Sequence, residues 1–163
     1  MSSKLVIVNS NHKISGTDFQ FKINFGDTLV QSNYDMMRLK FIDMNIELTG
    51  VNSTTDGLSS MGTLYCASNL GQDTIWNNDH NDIFGYSKYY QGRGDGYYQL
   101  LTPNPIVMTC PIIRGIKEFK ILDEDYELLT GNNVNSTTII FQIEYFNKQE
   151  LSNAVGESFF SRQ

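Results

Sequence analysis

The sequence holds few of the side chains, and none of the common motifs, on which catalysis depends. Histidine is limited to His12 and His80, and no HxH pair of the kind found in cupin metal sites occurs. The chain also lacks a GxSxG nucleophile turn, a P-loop and a dinucleotide-binding glycine pattern. We therefore expect no enzymatic activity, no catalytic residue, no cofactor and no metal site.

Cysteine and basic residues are scarce as well. Cys66 and Cys110 lie far apart and form no CxxC pair, which favours two reduced, packed thiols and leaves a disulfide open as the alternative. Lys and Arg total 12 against 18 Asp and Glu, giving a formal net charge of −6 without a basic cluster. Direct binding of nucleic acid is therefore not expected, because it needs a row of positive charges.

Long apolar runs are also missing. The run near the N-terminus, Leu5–Val8, is too short for the apolar region of a signal peptide. Nothing in the sequence approaches the ~20 apolar residues of a membrane-spanning helix. We expect a protein that does not insert into membranes and is not secreted through a signal peptide.

The residues that are present favour strands. Alanine, the best helix former, occurs only at Ala67 and Ala154. The chain is 40% hydrophobic and 12% aromatic, and it is rich in Ile, Thr, Asn, Ser and Gly. β-Branched and aromatic residues fit a pleated surface, while Asn and Gly suit turns. The composition predicts an all-β protein.

Alternation of apolar and polar residues predicts about eight short antiparallel strands, separated by turn signals and without an internal repeat. This spacing is typical of a β-sandwich of two sheets with Greek-key or jelly-roll connections. The candidates are Lys4–Val8, Asp18–Phe25, Met37–Leu48, Thr63–Ala67, Tyr86–Tyr90, Gly96–Leu101, Ile106–Thr109, Glu118–Leu122 and Thr137–Phe146.

Two of these strands have informative patterns. In Asp18–Phe25 four apolar side chains fall on one face and four polar ones on the other, which predicts a half-buried strand. In Met37–Leu48 the apolar phase changes between Phe41 and Ile42. One extra residue in the strand would produce this slip, so we predict a β-bulge or a bend there.

Polar clusters offer only weak site candidates. The stretch Asn77–Asp82 (NNDHND) could hold a cation, and Asp123–Asp125 could ligate calcium through carboxylate oxygens. We interpret both as solvated turns, because neither has the ligand spacing of a known metal loop. Arg93-Gly94-Asp95 spells the RGD receptor motif between glycines, although three residues recur often by chance.

Aromatic residues concentrate in one irregular stretch. Trp76 and the tyrosines of Tyr86–Tyr98, among them Tyr89 and Tyr90, could stack on sugars or fill a protein interface. Packing beneath their own loop is the equally weighted alternative. The sequence therefore leaves a carbohydrate- or receptor-binding module open as a function.

A more specific feature is the segment VNSNHKISGTDFQFKINF, residues 8–25. A Ser-containing loop with a basic residue (Ser10–Lys13) and a Gly16-Thr17 pair precede its alternating Phe/Ile strand, and Leu5–Val8 forms a short apolar strand ahead of it. This segment resembles the N-terminal part of single jelly-roll penton proteins, the vertex or minor capsid proteins of double-jelly-roll DNA viruses such as virophages and polinton-like viruses. The stretches MRLKFIDMNIEL, EFKILDEDYELL and TTIIFQIEYF are similar in pattern to strands of the same family.

The resemblance implies a single jelly-roll domain over residues 1–163. It implies a structural protein of the virion that forms a homopentamer at an icosahedral vertex and contacts major capsid protein trimers, with a vertex spike protein as an optional partner. We expect residues 1–12 to form an N-terminal arm and residues 147–163 an extended C-terminal tail. The interface residues expected from this interpretation are Lys13, Tyr89, Tyr90, Phe159 and Phe160.

Overall fold

The computed structural model describes residues 2–48, 61–70, 83–91, 98–101, 107–123, 125–129 and 134–149. These residues form ten strands and one short 3₁₀ turn at Ser10–His12. The strands are β1 (Ser3–Asn9), β2 (Ser15–Gly16), β3 (Gln20–Asn24), β4 (Met36–Leu48), β5 (Met61–Ser68), β6 (Ile83–Gln91), β7 (Tyr98–Leu101), β8 (Val107–Pro111), β9 (Ile116–Leu122) and β10 (Val134–Phe146).

The strands build two antiparallel sheets. The four-stranded sheet has the order β1-β10-β4-β8, and the six-stranded sheet has the order β2-β3-β9-β5-β6-β7. Without the short edge strands β2 and β7, the remaining eight strands follow the order 1-8-3-6 in one sheet and 2-7-4-5 in the other. This is the strand order of a jelly roll. The predicted all-β jelly-roll sandwich is therefore confirmed.

The patterned strands behave as their sequences predict. Phe19, Phe21 and Phe25 are buried, while Lys22 and Asn24 are exposed. In β4, Phe41 lies opposite Phe141 and Asp43 lies opposite Ile140, so Ile42 is the extra residue of a β-bulge. The predicted bulge is confirmed, and it turns Ile42 outward so that apolar residues on both sides of it can point into the core.

Both inner faces contribute to one hydrophobic core. Fully buried residues from β4 and β10 of the four-stranded sheet pack with residues from β3, β5 and β9 of the other sheet. The two sheets come close at Gly85 of β6, where an added Cβ would overlap the ring of Phe41. The core also contains the hydroxyl of Tyr145, which donates a hydrogen bond of 2.7 Å to the carbonyl oxygen of Leu29.

The N-terminal segment differs from the arm expected for residues 1–12. Residues Ser3–Asn9 pair with β10 in an unbroken antiparallel register, from Ser3 opposite Glu144 to Asn9 opposite Thr138. The strand joins the sheet because Val8 is buried in the core and Val6 packs against it, while half of its main-chain groups bond to β10. At the other end, β10 finishes at Phe146 and the chain is described as far as Gln149, so most of the expected tail lies outside the described residues.

Candidate functional site

Several residues expected at an interface lie outside the described part of the chain. Phe159 and Phe160 belong to this group; the receptor motif Arg93-Gly94-Asp95, the cation candidate NNDHND with His80 and the aromatic candidate Trp76 lie outside the described residues as well. Tyr89 and Tyr90 lie in β6, between β5 and β7. Only their main chain is described. Their expected roles stay predictions.

Lys13 is described, and its ammonium group has a partner within the chain. Its Nζ lies 3.2 Å from Oδ1 of Asp18, and both side chains are about three-quarters buried. The same carboxylate oxygen accepts a 2.7 Å hydrogen bond from the hydroxyl of Ser10. Lys13 therefore closes the Ser-Asn-His-Lys loop onto the start of β3, and its expected contact with a neighbouring molecule stays a prediction.

Ser10 is the centre of this local network. Its side chain is fully buried, and its hydroxyl accepts a hydrogen bond of 2.9 Å from the main-chain N–H of Thr137 while donating to Asp18. The hydroxyl of Thr137 in turn donates to the carbonyl oxygen of Asp18 at 2.7 Å. The polar loop that precedes the Phe/Ile strand is thus fastened to β10, because a buried hydroxyl is costly without such partners.

The acidic turn after β9 has the form of a structural turn. Oδ1 of Asp123 accepts hydrogen bonds of 3.0 Å from the main-chain N–H groups of Asp125 and Glu127. This carboxylate therefore organises its own loop, as Asp side chains commonly do in turns. Among the described residues, no three His, Cys, Asp or Glu side chains form a group suited to a metal ion.

The two thiols are buried and unpaired, so the interpretation as reduced cysteines is confirmed over a disulfide. Cys66 lies on β5 and Cys110 on β8, in different sheets. Burial raises the pKa of the Cys66 thiol well above its ordinary value. Burial also raises the pKa of the Cys110 thiol to about 12, although the charge of Lys117 acts in the opposite direction. A thiol with such a raised pKa is a poor nucleophile at neutral pH.

The outer face of the four-stranded sheet carries exposed apolar side chains. Leu5 and Ile7 of β1 are 60% and 62% exposed, and Val107 of β8 is 53% exposed. Ile42, the bulge residue of β4, is 36% exposed. Ile7 lies opposite the half-buried Ile140 of β10, so apolar side chains extend from the β1 edge toward the middle of the sheet.

The outer face of the six-stranded sheet has its own apolar cluster. Ala67, Ile83 and Leu122 point away from the main core but are buried, with exposures of 6%, 1% and 7%. Tyr65 and Tyr126 pack against them, and the two tyrosine rings stack with centroids 4.7 Å apart. The tyrosines on this face therefore cover the molecule's own residues.

Tyr126 occupies an unusual backbone conformation. Its φ is +63°, a left-handed value that bulky side chains rarely adopt. The turn is held by the hydrogen bond from the N–H of Tyr126 to the carbonyl oxygen of Asp123 and by the bridge between Leu122 and Leu128. These contacts place the Tyr126 ring on Tyr65, which lies directly opposite Tyr86 in the neighbouring strand.

Sequence reasoning missed the exposed apolar residues of β1. The apolar run Leu5–Val8 predicts a short strand that is either buried on both faces or placed at a sheet edge, and neither interpretation specifies which side chains are exposed. The structure places it at the edge of the four-stranded sheet. For Ile42 the sequence did carry a signal of exposure, because the change of apolar phase predicts a bulge and a bulge turns one residue outward.

A scan against protein-family models finds no match to this chain, and a search of curated proteins finds none either. None of the described segments forms a helix with the length and apolar character that crossing a bilayer requires.

Proposed function

We propose that this protein is a structural capsid protein that forms a five-membered ring at an icosahedral vertex, in contact with trimers of major capsid protein. The observation that carries this proposal is the jelly-roll strand order, 1-8-3-6 facing 2-7-4-5. Jelly rolls are a common architecture of viral capsid proteins. The resemblance of residues 8–25 to penton proteins points in the same direction.

The proposed function is geometric rather than chemical. A ring of five identical subunits needs two different surfaces on each copy, so that each contact is made head to tail and the rotation closes. Ile42 and Val107, exposed on the outer face of the four-stranded sheet, provide apolar side chains for one of these surfaces. Beside them, Lys40 is exposed as well and gives the surface a polar element.

Carbohydrate or receptor binding is the alternative expected from the aromatic residues. The tyrosine cluster whose side chains are described, Tyr65, Tyr86 and Tyr126, packs ring against ring over the protein's own apolar residues. No described contact therefore favours a sugar over internal packing. Tyr89 and Tyr90 remain the residues on which this alternative depends.

Native mass spectrometry of the purified chain tests the proposal. We expect a pentamer, and we expect Val107→Lys to shift the distribution toward smaller species, because a charge replaces an exposed apolar side chain. Ile116→Lys, at a residue equally exposed on the six-stranded sheet, serves as the matched control. A monomer that binds glycans and loses binding on Tyr89→Ala or Tyr90→Ala would support the alternative and contradict the capsid proposal.

A further inference from the structure

The four sheet edges of the described fold differ in how they resist pairing with another chain. The edge strand β2 has only two residues and β7 only four. The edge strand β8 ends in Pro111, which has no N–H to donate. By contrast, β1 has seven residues, contains no proline and pairs with β10 without a bulge. Of the usual protections of an edge, which are short length, proline, a bulge and charged side chains, β1 has only one lysine, Lys4, near its start.

The main-chain groups at the free edge of β1 belong to alternate residues. The carbonyl oxygen of Ser2 accepts a hydrogen bond of 3.1 Å from the N–H of Tyr145 in the β10 strand. In an antiparallel ladder this alternation repeats every second residue. Even-numbered residues of β1 therefore bond to β10, while Ser3, Leu5, Ile7 and Asn9 direct their N–H and C=O groups toward the free edge.

The same residues that offer main-chain groups also expose apolar side chains. Leu5 and Ile7 lie on the outer face and are more than half exposed. The single charge in the strand is Lys4, one position from its start, and its Nζ lies 5.6 Å from the centroid of the Tyr145 ring. The residues from Leu5 to Asn9 therefore form an uncharged edge with an apolar row.

We propose that this edge binds β1 of a second copy of the chain, antiparallel and about a two-fold axis at Val6. This register places Leu5 opposite Ile7 of the other copy, so the two exposed apolar rows coincide on one face. Ser3 lies opposite Asn9, which matches polar with polar. Lys4 lies opposite Val8, so the two lysines are kept at opposite ends of the contact.

The register is also the one that the backbone favours. Pairs between odd-numbered residues have main-chain groups that face each other, and a centre at Val6 lets all seven residues of both strands take part. The two four-stranded sheets become one continuous eight-stranded sheet. An isologous contact of this kind joins two copies only, so it goes beyond the head-to-tail ring of the proposed function and does not depend on it.

Sedimentation velocity over a concentration series is the first experiment. A contact one strand wide is small, so we expect a weak, reversible association of single chains or of rings that increases with concentration. Ile7→Lys should raise the dissociation constant at least about tenfold, since it puts a charge opposite Leu5. The control Ile116→Lys makes the same substitution at an exposed isoleucine of the six-stranded sheet, and it should leave the dissociation constant unchanged. The absence of any concentration-dependent association, or an association that Ile7→Lys does not weaken, would overturn the proposal.

Amide hydrogen exchange reports the edge directly. We expect the amides of Leu5 and Ile7 to gain protection as concentration rises, while those of Val6 and Val8 are protected at all concentrations because they bond to β10. Protection of Leu5 and Ile7 that does not depend on concentration would contradict pairing with a second copy. Unfolding curves of Ile7→Lys check that the variant keeps its fold.

A cysteine variant tests the register. Val6 faces itself across the two-fold axis in a non-hydrogen-bonded pair, with Cα atoms about 4.5 Å apart, within the range of a disulfide. Val6→Cys should therefore cross-link two copies under mild oxidation. Lys4→Cys, which meets Val8, should not do so, and the native thiols are buried. Equal cross-linking of both variants would overturn the proposed register.

Discussion

Two groups of apolar residues on the outer faces of the two sheets differ in whether the protein covers them. On the six-stranded sheet Ala67, Ile83 and Leu122 are buried, because Tyr65 and Tyr126 pack over them. On the four-stranded sheet Leu5 and Ile7 are exposed. The same kinds of side chain therefore stabilise the folded monomer in the covered cluster and remain in contact with water in the β1 row.

The tyrosine cover on the six-stranded sheet requires a strained backbone conformation at Tyr126. Tyr126 adopts a left-handed φ of +63° so that its ring can reach Tyr65. Strain of this size costs on the order of 1–3 kcal/mol, and the contacts of the turn must offset it. Because one outer face has such a cover, the exposed row on the other face is the better candidate for contact with another molecule.

Deleting residues 1–12 should have the largest effect, because β1 belongs to the sandwich even though it carries the exposed row. The deletion removes the strand paired with β10, the buried Val8 and the buried Ser10 that holds Thr137. We expect no cooperative unfolding transition in urea for this variant. Deleting residues 1–2 alone, which leaves β1 in place, is the control. A cooperative transition after removal of residues 1–12 would restore the interpretation of a separate arm.

The contrast between the faces also predicts unequal effects of the same substitution. Ile83→Ala should lower the free energy of unfolding by about 2–4 kcal/mol, since Ile83 is buried under the tyrosine cover. Ile7→Ala should change it by less than about 0.5 kcal/mol when measured at concentrations where the protein is monomeric. Urea denaturation of both variants provides the measurement. Equal losses would mean that the two faces are equally buried in solution.

Much of the fold follows from local sequence patterns. The alternation in Asp18–Phe25 and Thr137–Phe146 predicts which side chains enter the core, and the phase change at Ile42 predicts the bulge. These signals suffice because a strand's side-chain period is two, so one buried face fixes the register. The order of strands within the sheets depends on contacts between distant residues, such as β1 with β10, and no local pattern encodes it.

The candidate interface could be predicted only in part. Leu5–Val8 is visible as an apolar run, but its exposure depends on β1 lying at an edge, which is a property of the whole topology. Likewise, the cover over Ile83 depends on Tyr126, separated from it by many residues and held by a left-handed turn. Neither DEDYEL nor its neighbours signal that conformation, because left-handed turns are usually marked by Gly or Asn.

Replacing Tyr126 should have a smaller effect on the unfolding free energy. Two substitutions separate the contribution of its ring from the cost of its backbone strain. Tyr126→Ala loses the stack on Tyr65 and keeps the unfavourable φ, so we expect a loss of about 1–2 kcal/mol in unfolding free energy. Tyr126→Asn loses the same ring but tolerates the left-handed conformation, and it should be more stable than Tyr126→Ala by about 1 kcal/mol. Binding of a hydrophobic dye to both variants, measured by fluorescence, should rise as Leu122 becomes accessible. Unchanged dye binding would mean that Tyr126 does not cover the cluster.

The charged pairs should show the smallest effects and should not distinguish the two faces. Arg38 and Glu144 lie 3.4 Å apart on the four-stranded sheet, while Lys120 and Glu118 lie 3.8 Å apart on the six-stranded sheet. All four side chains are partly exposed, so water and salt screen both pairs. Glu144→Gln and Glu118→Gln should each lower the unfolding free energy by less than about 1 kcal/mol, and less still in high salt. If the two variants lose similar small amounts of unfolding free energy, the two ion pairs are equivalent. The two faces then differ in their apolar residues and not in their ion pairs. A clearly larger loss for Glu144→Gln in the monomer would mean that the ion pair, as well as the apolar row, distinguishes the four-stranded face.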